Sequence, residues 1–167
     1  MNSNPSLSNS SRFEGCTLTG ALSVLTEVRD AVCIIHGPSG CTHHNFSLLH
    51  ATHLSNDRLE VPRLLTTRLT ENDIIFGGEE ALERAIARAI SLSPAPASIF
   101  VLSTCIVETI GDDVAAVCAR DWGIPVIAVP TAGFLGGVFE TGIRNALSAV
   151  ASLARPATEK TLSANLI

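Results

Sequence analysis

Four short runs rich in valine, isoleucine and leucine recur along this chain, and each is followed by a stretch with helical spacing. The runs are AVCIIH (31–36), RLLTTRL (63–69), ASIFVLS (97–103) and IPVIAVP (124–130). The helical patterns are CTLTGALSVLTEV (16–28), which precedes the first run, then CTHHNFSLLHATHL (41–54), EEALERAIARAISL (79–92), VETIGDDVAAVCARDW (107–122) and FLGGVFETGIRNALSAVASLA (134–154). Strands that are apolar along their whole length are buried on both faces, as in a parallel sheet. Their alternation with helices predicts a single Rossmann-like α/β domain. Its sheet is four-stranded and mainly parallel, with right-handed crossovers and helices on both faces. EEALERAIARAI is the clearest helix, with Leu82, Ala85, Ile86, Ala89 and Ile90 at helical spacing and glutamates at its start. Gly123 and Pro125, and earlier Pro94 and Pro96, separate helix from strand.

The chain has 167 residues, enough for one domain with a real core. We expect a polar arm over 1–12, the domain over 13–154 and a tail over 155–167. The net charge of −5, from one lysine and ten arginines without a basic cluster, argues against binding nucleic acid or an anionic membrane. No apolar run reaches the ~20 residues of a membrane span. The opening MNSNPSLSNSSR lacks the features of a secretory signal, so a reducing, cytoplasmic setting is expected.

In such a compartment the five cysteines are core residues or ligands, rather than a disulfide framework. Cys33 lies within a strand and Cys118 within a helix, where a thiol behaves as a small hydrophobe. Cys16 in FEGC, Cys41 in HGPSGC and Cys105 in LSTC stand where a turn enters a helix. In an open α/β sheet, sites lie beyond the carboxyl ends of the strands. A helix N-terminus favours thiolate, the form that binds soft metals. The spacings of 25 and 64 residues match neither a zinc finger nor a ferredoxin. Position alone therefore leaves packing and ligation both open.

FEGC, HGPSGC, LTENDIIFGGEEAL and STCIVETIGDD, in this order, resemble the nitrogenase component 1 superfamily over roughly residues 13–150. That group includes molybdenum–iron protein subunits, their cofactor-assembly scaffolds and nitrogenase-like reductases. The resemblance implies that Cys16, Cys41 and Cys105 bind an iron–sulfur cluster, [4Fe–4S] or larger, at a subunit interface. Three thiolates are one short of the usual four, so a homodimer or a paralogous component 1 subunit would complete the site. It further implies an oxidoreductase subunit that relays electrons from a P-loop iron–sulfur ATPase. The alternative is a non-catalytic iron–sulfur carrier or interaction module. Family subunits usually hold three Rossmann-like domains and this chain has room for the first, so no catalysis by the chain alone is expected.

Other features carry less. His36 would orient the cysteine loop or end its strand as a satisfied histidine. Asp112 and Asp113 would cap or pair locally, and Gly77-Gly78 would start a helix or meet a partner. Ser39 and Ser103 are candidate donors to cluster sulfides, or plain turn residues. His43, His44, His50 and His53 share one stretch without an evident third zinc ligand. The chain has no G-x-x-x-x-G-K-[ST] motif, no G-x-G-x-x-G motif and no nucleophile elbow.

Overall fold

The computed structural model describes residues 15–57 and 61–154. The arm over 1–12 and the tail over 155–167 lie outside the described residues. Four strands form one sheet: β1 (Ala31–His36), β2 (Leu64–Thr66), β3 (Ser98–Ser103) and β4 (Val126–Pro130). Their order is β2-β1-β3-β4 and every pairing is parallel. β1 and β3 occupy the centre and are buried along their whole length, which is why their sequences show no polar alternation.

The pleat sends alternate residues of these strands into two cores. Val32, Ile34, Ile99 and Val101 face one layer, where α4 (Glu79–Ile90) brings Leu82 and Ile86. The same layer holds Val107 of α5 (Cys105–Ile110) and Val114 and Val117 of α6 (Val114–Cys118). Cys33, Ile35, Phe100 and Leu102 face the other layer. There α1 (Thr17–Leu25) buries Leu18, Leu22 and Leu25, joined by Leu49 of α2 (Ser39–Ser55) and Ala146 and Ala149 of α7 (Phe139–Ser152). Each fully buried leucine stabilises the fold by about 1.5–3 kcal/mol. The short helix α3 (Glu71–Phe76) lies between β2 and α4.

Several expected elements differ in extent. The strand expected over 63–69 is regular only at Leu64–Thr66, although Arg63, Thr67 and Leu69 keep backbone hydrogen bonds to Cys33, Ile35 and Gly37. The helix expected over 107–122 is two, because Gly111 at φ 79° ends α5 and Asp113 caps α6, accepting from Ala116 N at 2.9 Å. The helix expected over 134–154 begins at Phe139, after a single 3₁₀ turn at Gly133–Leu135. α3 went unread, although Thr70 and Asp73 carry a reciprocal capping pattern. The Asp73 carboxylate accepts from Thr70 N at 2.7 Å, and these bonds hold its pKa below the usual value.

Candidate metal centre

The strand order fixes where a ligand fits. The chain leaves β1 in one direction to form β2, then crosses back to lay β3 on the other side of β1. The resulting crevice lies between the carboxyl ends of β1 and β3, the usual ligand position in an open α/β sheet. Cys41 and Cys105 come from these two strand ends. Cys41 is the third residue of α2, after the Gly37-Pro38 turn, and Cys105 is the first residue of α5, after its N-cap Thr104. Cys16 is the N-cap of α1. It joins from the side of the loop after β4, where a Cβ on Gly133 would lie 3.8 Å from the Cys16 Cβ.

All three cysteines thus sit at helix N-termini, Cys16 and Cys105 exposed and Cys41 half-buried. Burial, followed by the neighbouring charges of Cys16 and Cys105, pushes the Cys41 thiol up. Cys41 thus lies within electrostatic reach of the other two thiols. Burial pushes Cys33 and Cys118 to about 12, which suits small hydrophobes. Among the described residues no three His, Cys, Asp or Glu side chains close around a single metal ion. The cysteines stand apart rather than around one ion, and an iron–sulfur cluster has several metal corners for thiolates spaced in this way to hold.

The surroundings fit such a group. Among the described residues, the buried side-chain oxygens with no hydrogen-bond partner are the hydroxyls of Thr17, Thr42 and Thr104 and the Asn45 Oδ1. Thr17 and Thr42 each follow a motif cysteine and Thr104 precedes one. An unmet buried polar group costs about 1–3 kcal/mol, and three of these four belong to residues adjacent in sequence to a motif cysteine. A Cβ at Gly40, the residue before Cys41, would meet no atom within 4 Å. Soft thiolate donors, helix N-termini and open space before Cys41 are what an iron–sulfur group needs from a protein. The sequence signal for the hydroxyls was the recurrence of Cys-Thr, Cys-Thr and Thr-Cys.

Other expected residues are placed as follows. His36 is fully buried, and its ring reaches Thr67 Oγ1 and Asp112 Oδ2, each at 3.1 Å. Asp112 therefore pairs at long range, while Asp113 caps locally. Ser103 donates to Glu108 Oε1 at 2.8 Å, and Ser39 is exposed. The α2 histidines do not converge: His50 stacks on Phe46 with ring centroids 5.7 Å apart, and His53 lies 3.6 Å from the Glu27 carboxylate. The Ile75 and Phe76 side chains at the end of α3 are 71% and 85% exposed and border a groove of about 640 Å³ that Ile110 of α5 also lines. No helix among the described residues is long and apolar enough to cross a membrane.

Comparison with known proteins bears on the family and the fold. Residues 16–167 match the family model for nitrogenase component 1 type oxidoreductases. The nitrogenase iron-molybdenum cofactor biosynthesis protein NifE of Clostridium pasteurianum is 38% identical over 151 residues, covering 89% of this chain and 32% of that protein. NifE of Methanosarcina barkeri is 36% identical over 137 residues, covering 80% of this chain and 29% of its own length. The solved structure of nitrogenase Cp1 at pH 5 superposes with a TM-score of 0.71 at 28% identity, over 95% of this chain and 34% of that one. The chain spans about a third of the length of these relatives. A parallel β2-β1-β3-β4 sheet, cysteines at its switch point and a match running from the first of those cysteines to the last residue lead to one assignment: the chain belongs to the nitrogenase component 1 type oxidoreductase family.

Proposed function

We propose that this chain supplies part of an interfacial iron–sulfur site, with Cys16, Cys41 and Cys105 as its thiolate ligands. The observation that carries this reading is the placement of three cysteines at helix N-termini, two of them after the neighbouring strands β1 and β3 and Cys16 beside the loop after β4. Two of these thiols are exposed, as ligands of a group shared with a second chain would be. A second copy or a paralogous subunit completes the set to the usual four thiolates or more. When bound, the cluster supplies one-electron transfer at a potential set by charge, hydrogen bonds and exposure. The chain then serves as an electron-relay part of a nitrogenase-like oxidoreductase, fed by an ATP-dependent iron–sulfur reductase in a reducing cytoplasm. The exposed Ile75 and Phe76 offer a protein partner an apolar surface on the α5 side of the domain.

A second reading draws on the similarity to NifE, a cofactor biosynthesis protein by name. In that reading the same cysteine face belongs to a scaffold on which a metallocofactor is matured.

The test is iron and acid-labile sulfide per chain on protein purified without oxygen, together with its mass in solution. About two irons per chain in a dimer correspond to one shared [4Fe–4S] cluster, and about four to a double-sized one. Cys16→Ala, Cys41→Ala and Cys105→Ala each abolish stable iron, while Cys33→Ala does not. Unaltered iron in the first three variants overturns the ligand assignment. Reduction by an ATP-dependent reductase without loss of metal supports the relay, and transfer of a metal group to an acceptor protein supports the scaffold.

A further inference from the structure

The carboxyl end of β1 holds a second polar arrangement, different in kind from the unmet threonine hydroxyls beside it. The His36 ring is completely buried and every polar atom it addresses is paired. Asp112 is a carboxylate and only accepts, so the imidazole Nε2–H donates to its Oδ2 at 3.1 Å. Nδ1 then accepts from the Thr67 hydroxyl at 3.1 Å, while that oxygen accepts from Gly37 N at 2.9 Å. The far side of Asp112 accepts from Gly78 N at 3.0 Å. Gly78 must be glycine here, since a Cβ would stand 2.7 Å from Asp112 Oδ2 and 3.1 Å from the imidazole Cε1.

The backbone of the same residue reaches the other cysteine loop. The carbonyl of His36 accepts from Thr104 N at 3.1 Å, and Thr104 precedes Cys105. Gly37 packs so closely on Thr104 that a Cβ would fall 2.2 Å from its hydroxyl oxygen. One residue therefore touches the start of the Cys41 loop, the start of the Cys105 helix, the end of β2 and the loop bearing Asp112. An apolar side chain would fill the same space. Directional bonds to three separate segments add a fixed geometry, which packing alone specifies less tightly.

We propose that His36, held by Asp112 and Thr67, is a positioning residue that sets the Cys41 loop against the Cys105 loop. This rests on the reading of those cysteines as cluster ligands, and it adds the group that keeps them in register.

The test uses the full chain in a Cys16→Ser background with nitroxide labels on Cys41 and Cys105. Dipolar broadening of the EPR spectrum then reports their separation without any metal. We expect broadening in the parent that is lost in Asp112→Ala, which leaves both Gly78 N–H and His36 Nε2–H unpaired. Asp112→Asn restores it, because the amide oxygen keeps Gly78 while the amide NH₂ serves the opposite imidazole tautomer. Thr67→Val, a milder change, gives an intermediate loss should Asp112→Ala fail to fold. In iron-loaded protein with all cysteines present, Asp112→Ala shortens the half-time of iron release to a chelator at least about tenfold, as loss of an outer partner does at other metal sites. A folded Asp112→Ala or Thr67→Val variant with parental broadening and parental release overturns the proposal. A chain that takes up no iron yet shows the expected changes in broadening overturns the cluster reading and leaves the positioning role standing.

Discussion

Gly142 of α7 and Thr17 of α1 approach so closely that a Cβ on Gly142 would lie 1.9 Å from the Thr17 carbonyl oxygen. The contact is reciprocal, since a Cβ on Gly20 would lie 2.0 Å from the Phe139 carbonyl oxygen. Neither obstacle is a side chain that can swing away. Gly142→Ala is therefore expected to destabilise the domain by at least about 2–3 kcal/mol, at the upper end for overpacking. Because α1 begins at Cys16, the same variant should also weaken iron uptake. Urea denaturation, with iron content measured in parallel, checks both.

His36 should make stability depend on pH in one direction. Burial lowers its pKa below the ordinary 6.5, outweighing the opposing pull of Asp112 and the weaker pulls of Asp73 and Glu79. The unfolded chain takes up a proton near 6.5 while the folded chain does not. The neutral ring's contribution is therefore complete above that value and falls away as pH drops through the depressed folded pKa, at up to about 1.4 kcal/mol per pH unit. The urea midpoint should fall between pH 7.5 and 5, and fall less in His36→Gln. Trp122, the only tryptophan, packs against the core and donates to Val117 O, so its emission follows the unfolding.

Thiol chemistry should sort the cysteines into three groups. Cys16 and Cys105 are exposed and react first with iodoacetamide in metal-free protein. Cys41 reacts later, because burial and its two charged neighbours raise its pKa. Cys33 and Cys118 react only on unfolding. Replacing Cys16 and Cys105 by serine removes the neighbouring thiolates, so Cys41 should alkylate faster at the same pH. Timed alkylation read by mass spectrometry shows the order, and a slower Cys41 in that double variant would contradict the shared face.

Asp113 separates a local role from the site. Its side chain caps α6 through Ala116 N at 2.9 Å, so Asp113→Ala should cost about 1 kcal/mol while leaving iron uptake intact. Its neighbour Asp112 should behave in the opposite way, with the iron site responding as well as stability.

The sequence was most legible where burial is complete. AVCIIH and ASIFVLS read as strands buried on both faces because they are apolar throughout, and EEALERAIARAI as a helix because one stripe is apolar. RLLTTRL outruns the regular strand because Arg68, at φ 55°, leaves the extended conformation, while Thr67 and Leu69 still bond to Ile35 and Gly37. Gly111 looked like a glycine tolerated inside a helix, and its left-handed conformation shows only in three dimensions. Cys16, Cys41 and Cys105 were recognisable by motif. The pairing of His36 with Asp112 was not, because nothing local marks a contact between residues 76 positions apart.

The order β2-β1-β3-β4 also sets when the thiols first meet. Cys41 and Cys105 become neighbours only after β3 has docked beside β1, and that contact closes a long loop through β2 and α4. Non-local parallel pairing of this kind forms slowly. A partly folded chain therefore holds Cys41 and Cys105 apart, and they come to one end of the sheet only once it is closed. On the proposed ligand assignment, iron uptake by this domain would be a readout of finished folding.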